Sequence, residues 1–468
     1  MDINSSFIAS FEDTQLTTIA PCYHNFSEVL SCYLNIEEPV YSFKEEKSSF
    51  DEVTKITTKT YILTSQTWPK ANLHNEQIWQ HRLTVYEPES LKHKSALIFV
   101  NGGYNLNKDG KPELASSKES LDLIKIANSN QMITVILEDV PNQFLFFEDE
   151  KPRKEDEILA YTYKKVLEDP YHNAYFAGHL PMAKSVTKAM DALQAILGEA
   201  KIEDFILTGG SKRGWASWLA ALGDNRVKAL IPIAVDVLNV EENITHICNS
   251  YKDKCPPALK DYVKEGVIKQ IGTENMHKLM QIEDPFSYLH TKQMSIPKYI
   301  INASGDDFYV PDSSKFYFKK LPGEYNLIRY IPNSPHYYNK EVVSEDINNY
   351  LYFYLNNHNL PKVKWDLTDD KITLDSSIKP SFAKLWIAEN KNNRDFRFNN
   401  YGPGHGNIKY TAQDIPLNCK EMQPCHIEAN LPIVQEGWQA AFIEYGYEID
   451  NHNLVLTTEI KITPDIYP

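Results

Sequence analysis

From residue 95 onward the chain carries short, uninterrupted apolar runs: "SALIFVNGG" (95–103), "MITVILEDV" (132–140), "DFILTGG" (204–210), "VKALIPIAVDV" (227–237), "PKYIINASGDD" (297–307) and "YNLIRYIPNSPHYY" (325–338). Runs without alternation mark strands covered on both faces. Between them the spacing turns helical. Leu121, Ile124 and Ile126 fall on one face of the stretch ending at 130, and Val186, Met190, Leu193 and Leu197 on one face of 180–197. A helix is read from Ser211 and a closing one over 342–355. Strand–helix alternation of this kind predicts a doubly wound, mostly parallel sheet. Two earlier segments, 58–68 and 78–88, read as further strands, and the first forty residues show no regular pattern.

Two interruptions divide the chain. Residues 238–295 read as a helical insertion between two strands, placed as a cap over the strand ends. Beyond "NLPKVKW" (359–365) the segments become short and alternating, broken by Gly, Pro, Asn and Asp. That pattern predicts an all-β, sandwich-like domain over 363–468, with the catalytic unit over 1–362. "DKITLDSS", "AKLWIAEN", "DFRFNNYG", "CHIEANLP", "WQAAFIEYGYEI" and "LVLTTEIKIT" are its strand candidates. The charge run "EDEKPRKEDE" (148–157) reads as a solvated loop leading into a helix.

A formal net charge of −15 argues against a grip on nucleic acid or anionic lipid, and no apolar run is long enough for a transmembrane helix. The six cysteines fall as three local neighbours, Cys22 with Cys32, Cys248 with Cys255 and Cys419 with Cys425, without the spacing of a zinc or redox motif. Three short disulfide loops suit an exported protein, so a periplasmic or secreted chain with its leader removed is expected, cytoplasmic localisation being left open. Neither cofactor nor metal is expected; Cys425–His426 lacks companion ligands. Oligomeric state is left open.

The chemistry centres on "ILTGGSKRGWASWLAALG" (206–223). A serine nucleophile needs a sharp strand-to-helix turn that lifts its hydroxyl clear and turns backbone N–H groups toward the oxyanion. Such a turn demands small residues where strand and helix touch, and Gly209 and Gly214 are those residues. The second glycine comes one place later than in G-x-S-x-G, and Arg213 stands in its usual position. Phosphate-cradling loops have other spacings. In the order Ser…Asp…His, Ser211 is followed by Asp306 or Asp307 after one strand and by His336 after the last. Asp306 is favoured, Asp307 is the alternative, and only one of two neighbours in an extended stretch can reach His336. The oxyanion donors are assigned to the N–H groups of Lys212 and of Gly103 or Tyr104. Arg213, with Lys212, is a candidate contact for an anionic substrate, against the plainer role of clamping a carboxylate. Trp215 and Trp218 read as helix core, His246 and His277 as surface residues of the cap, and the sequon Asn302-Ala303-Ser304 as inaccessible.

"VPNQFLFF", "LPMAKSVTKAMDALQ", "TGGSKRGWASWLAAL", "NASGDDFYVPDSSKFYF" and "RDFRFNNYG" together resemble the PhoPQ-activated pathogenicity-related protein family. The resemblance spans most of the chain. It implies an α/β-hydrolase fold, a serine nucleophile at Ser211 and export, as in bacterial members; the family also occurs in some amoebae. Where the family commonly carries Asp-Glu, this chain has Asp306-Asp307. The resemblance supplies no substrate. The expected activity is therefore a serine hydrolase on a small-molecule ester or a peptide, an esterase first. The alternatives are a prolyl-oligopeptidase-like peptidase, or a secreted binding or signalling protein on a hydrolase scaffold with the β domain as its working surface.

Overall fold

The computed structural model describes residues 25–69, 77–117, 120–198, 201–398, 407–421 and 423–468. The strands begin with β1 (Ser42–Asp51), β2 (Ile56–Trp68), β3 (Gln77–Pro88), β4 (Ser95–Val100), β5 (Gly103–Leu106) and β6 (Pro112–Ser116). They continue with β7 (Thr134–Leu137), β8 (Leu145–Phe146), β9 (Pro152–Arg153), β10 (Asp204–Gly210), β11 (Val227–Ile233), β12 (Lys298–Ala303) and β13 (Asn326–Ile331). Nine of them form one sheet in the order β1-β2-β3-β7-β4-β10-β11-β12-β13. From β7 to β13 every neighbouring pair is parallel, while β1, β2 and β3 add an antiparallel flank.

The apolar runs are covered on both faces, as their lack of alternation requires. Along β4, Ala96, Ile98 and Val100 join one core with the helices His179–Leu197 and Lys212–Gly223. Leu97 and Phe99 join the other, with the helices Leu123–Asn130 and Lys340–Leu355. This is the α/β-hydrolase arrangement. β1 departs from the sequence reading, which found no strand before residue 58. All ten of its residues are exposed, and "SFKEEKSSFD" has no buried face to betray it. A charged edge strand of this kind also discourages pairing with another chain.

Between β11 and β12 short helices from Val240–Ser250 through Glu274–Glu283 to Lys292–Ser295 form the insertion read from the sequence as a cap. Two of the three expected disulfides are described: Cys248 is bonded to Cys255 in the cap, and Cys419 to Cys425 in the C-terminal part. The third differs. Cys32 is half-buried on the short helix Val29–Leu34 and is itself disulfide-bonded. Its expected partner, Cys22, lies outside the described residues, so the bond between Cys22 and Cys32 stands as an expectation from their spacing. Among the described residues no helix is long and apolar enough to cross a membrane.

The C-terminal strands β14 (Val363–Leu367), β15 (Lys371–Ser376), β16 (Phe382–Asn390), β17 (Thr411–Asp414), β18 (Cys425–Asn430), β19 (Trp438–Ile449), β20 (His452–Thr457) and β21 (Lys461–Thr463) form two further sheets. Ile372, Leu374 and Ile427 of one sheet share a core with Leu385, Ile443 and Leu456 of the other. That core runs on into the hydrolase layer through Tyr299 and Tyr350. The last strand of the main sheet is covered from this side, since Tyr330 N donates to Thr457 Oγ1 at 2.9 Å. "DFRF" (395–398) is no strand, contrary to its alternation: Asp395 folds back to pair with Arg397, and Phe398 N donates to Gly305 O at 3.0 Å.

Candidate active site

The turn between β10 and its helix is strained at one residue. Ser211 has φ +53° and ψ −127°, a region non-glycine residues avoid. Its N–H is held by Ile233 O at 2.7 Å and its carbonyl accepts from Trp215 N at 3.0 Å. The displaced glycine now has a physical account. A Cβ on Gly214 would lie 2.5 Å from Gly209 O, and one on Gly209 would lie 2.8 Å from the carbonyl carbon of Arg213. Strand and helix therefore touch two residues before the serine and three after it. Position 213 has room for a side chain.

Three distant segments meet at the serine. His336 Nε2 lies 3.0 Å from Ser211 Oγ, and His336 Nδ1 lies 2.8 Å from Asp306 Oδ2. The other Asp306 oxygen accepts from Phe308 N at 2.7 Å and Tyr309 N at 3.2 Å, which fixes the carboxylate. Asp307 points elsewhere, accepting from the backbone N of His336 at 3.3 Å. Burial lowers the His336 imidazolium's tendency to form, but the Asp306 and Asp307 carboxylates outweigh it and leave the pKa raised. Burial, then the charge of Asp306, pushes the Asp307 carboxyl up.

Ser211, His336, Gly103, Tyr104 and Lys212 line one cleft of about 480 Å³. Gly103 has φ +133°, open to glycine alone, and a Cβ there would lie 2.5 Å from Asp139 Oδ1. The backbone N–H of Lys212 opens the helix, where the dipole favours negative charge. The two basic side chains after the serine turn to carboxylates. Lys212 Nζ lies 3.0 Å from Glu155 and 3.3 Å from Asp156; Arg213 Nη2 lies 2.6 Å from Glu155, and Arg213 Nε donates to Val140 O at 2.7 Å. Burial alone would raise the Glu155 carboxyl, yet Arg213 and Lys212 hold it well below the usual range. Gln143 Nε2 donates both to Glu155 and to Gly103 O, at 2.8 and 2.7 Å.

Several readings change. The charge run 148–157 is not wholly solvated, because Glu155 and Asp156 turn inward to Lys212. His246 is no surface residue. It is 1% exposed and bonded to Asp312 at 3.0 Å, while His277 is exposed as expected and bonded to Glu241. Trp218 is core, but Trp215 borders a second, apolar cavity that also reaches Ser211. Asn302 is buried. Glu155, Gln143 and His179, which borders that apolar cavity, carried no spacing or period by which a sequence reading could assign them a role.

The protein-family model described as PhoPQ-activated pathogenicity-related protein matches residues 30–397. Autocrine proliferation repressor protein A of Dictyostelium discoideum is 29% identical over 467 residues, 95% of this chain and 92% of its own. Acetyl xylan esterase 1 from Thermoanaerobacterium sp. JW/SL YS485 aligns at TM-score 0.45 and 13% identity, over 70% of this chain and 94% of its own. A glucuronoyl esterase from Solibacter usitatus aligns at TM-score 0.42 and 13% identity, over 71% and 92%. With its family model matched across the sheet, the cap and all three segments that meet at the serine, this chain belongs to the PhoPQ-activated pathogenicity-related protein family.

Proposed function

We propose that this protein is an exported serine hydrolase that cleaves an ester through an acyl-enzyme. The observation that carries the reading is the His336 ring bridging Ser211 Oγ at 3.0 Å and Asp306 Oδ2 at 2.8 Å. His336 Nε2 takes the Ser211 proton as Oγ attacks the ester carbonyl. The oxyanion is met by the N–H of Lys212 and that of Gly103 or Tyr104, a class of contact in which each donor contributes roughly a hundred- to thousand-fold in rate. The C–O bond then breaks, the alcohol leaves with the proton from His336, and water repeats the sequence on the acyl-enzyme. Asp306 keeps the imidazole in the required tautomer. The Cys248–Cys255 and Cys419–Cys425 bonds support export to the periplasm or beyond.

A fluorophosphonate probe tests the reading. Wild-type protein is expected to label, and Ser211→Ala and His336→Ala variants are not. Folded wild-type protein that stays unlabelled, or a Ser211→Ala variant that labels equally, refutes it. Matched ester and aminoacyl-amide panels then separate esterase from peptidase, with the esters expected to turn over faster.

A further inference from the structure

Ser211 stands between two cavities, one of mixed polar and apolar lining and one mainly apolar. The polar cleft holds His336, Tyr337 and Lys154; the other, under the cap, is walled by Val240, Ile244, Met276, Leu159, Trp215 and Phe308. On the hydrolase reading, which this inference rests on, the leaving group must sit where His336 can protonate it. That is the polar cleft, of which His336 is a wall; it does not border the apolar cavity. The acyl group then occupies the cavity under the cap.

That cavity is not uniformly apolar. Its acidic and basic members are engaged: Asp156 with Lys212 and with Tyr262 at 3.1 Å, and Glu241 with the N–H of Gly272 at 2.7 Å and with His277. His179 differs. It is 1% exposed, stacks on Trp215 at 4.8 Å and 16°, and its Nδ1 lies 2.7 Å from Glu283 Oε2. Glu283 is itself fixed, taking His179 N at 3.2 Å and Tyr163 OH at 3.3 Å, while its carbonyl accepts from Trp215 Nε1 at 2.6 Å. Nδ1 faces the Glu283 carboxylate at 2.7 Å and the Tyr163 hydroxyl at 3.1 Å; the nearer, charged acceptor places the ring proton on Nδ1 and leaves a lone pair on Nε2. That nitrogen is buried and has no hydrogen-bond partner among the described residues. Buried polar atoms are rarely left so without a reason.

We infer that the cavity under the cap binds the acyl part of the substrate, and that His179 Nε2 reads a hydroxyl or N–H on it. The substrate class is an ester of a polar alcohol with an aromatic or branched acyl group bearing one hydrogen-bond donor.

The test uses 4-nitrophenyl esters of phenylacetate, 4-hydroxyphenylacetate and 4-methoxyphenylacetate, which share a leaving group. The hydroxylated ester is expected to show a kcat/KM about tenfold above the phenylacetate, the worth of one neutral hydrogen bond. The methoxy ester, which cannot donate, gains nothing. In a His179→Leu/Glu283→Gln variant, which leaves no carboxylate buried alone, the ratio should fall to about one. Calorimetry of the same three esters with the Ser211→Ala protein separates binding from hydrolysis. Discrimination there without any wild-type turnover would sink the hydrolase reading and spare the pocket. Equal binding of all three, a preference for methoxy, or a hydroxyl preference that persists in the double variant overturns the inference. The wild-type comparison can refute the inference even if the variant does not fold.

Discussion

At the residue scale, the two adjacent aspartates meet different parts of one histidine. Asp306 meets Nδ1 at 2.8 Å, whereas Asp307 touches only the backbone N–H of His336. Asp306→Asn should therefore present the wrong tautomer and cut kcat by roughly 10⁴, while Asp307→Asn should cost less than about tenfold. Initial rates on an activated ester decide this, and equal small losses in both would mean another acid serves. Because the base must be neutral and its pKa is raised above the ordinary 6.5, the acidic limb of kcat/KM should lie above pH 6.5. Asp307→Asn removes one of the charges that raise it, so that limb should move toward lower pH. A limb that moves upward, or stays in place, contradicts the electrostatic account.

At the scale of elements, the contact between β10 and its helix sets where the serine stands. Gly214→Ala would place a methyl group 2.5 Å from Gly209 O and 2.7 Å from Val235 Cγ2. Backbone on one side cannot yield as a side chain can, so the helix must shift and carry the proposed oxyanion donor, the N–H of Lys212, with it. We expect a stability loss of about 1–3 kcal/mol from overpacking, together with a fall in kcat larger than any change in KM. Thermal melts and steady-state kinetics would show both; an unaffected kcat would mean the contact does not position the site. The sheet itself was legible in sequence because burial on both faces leaves a continuous apolar run, as in β4, β7 and β12. β1 was not, since no face of it is buried. Ser211, Asp306 and His336 could be nominated because chain order constrains them. Glu155 and His179 could not, because single polar residues acquire partners only when distant loops converge.

At the scale of the molecule, Arg394 is one of the ties between the C-terminal part of the chain and the cap and 306–312 segments. Arg394 is fully buried, donating to Asp312 Oδ2 at 2.6 Å and to Ser250 Oγ at 2.8 Å. Asp312, six residues beyond Asp306, also pairs with His246 of the cap. Burial would raise the Asp312 carboxyl, but Arg394 first, then His246 and Lys315, hold it well below the usual range. A lowered folded-state pKa stabilises above the unfolded value and is lost as pH falls. Arg394→Ala leaves that carboxylate buried with a weaker partnership and should cost about 3–5 kcal/mol. It should also flatten the acid side of the stability–pH curve, both read by urea unfolding across pH. A variant as stable as the parent would mean that this cation does not brace the C-terminal part against the cap.

The brace formed by Gln143, Glu155 and Arg213 has a consequence for timing. Gln143 grips Gly103 O and Glu155, and Arg213 ties Glu155 to the helix that begins after Ser211. Its guanidinium lies so close beneath Gly102 that a Cβ there would meet Nη2 at 2.7 Å. The two loops proposed to supply the oxyanion donors are thus cross-linked to each other through side chains of the protein itself. On the proposed mechanism, the work of bringing them together falls to folding and not to each turnover.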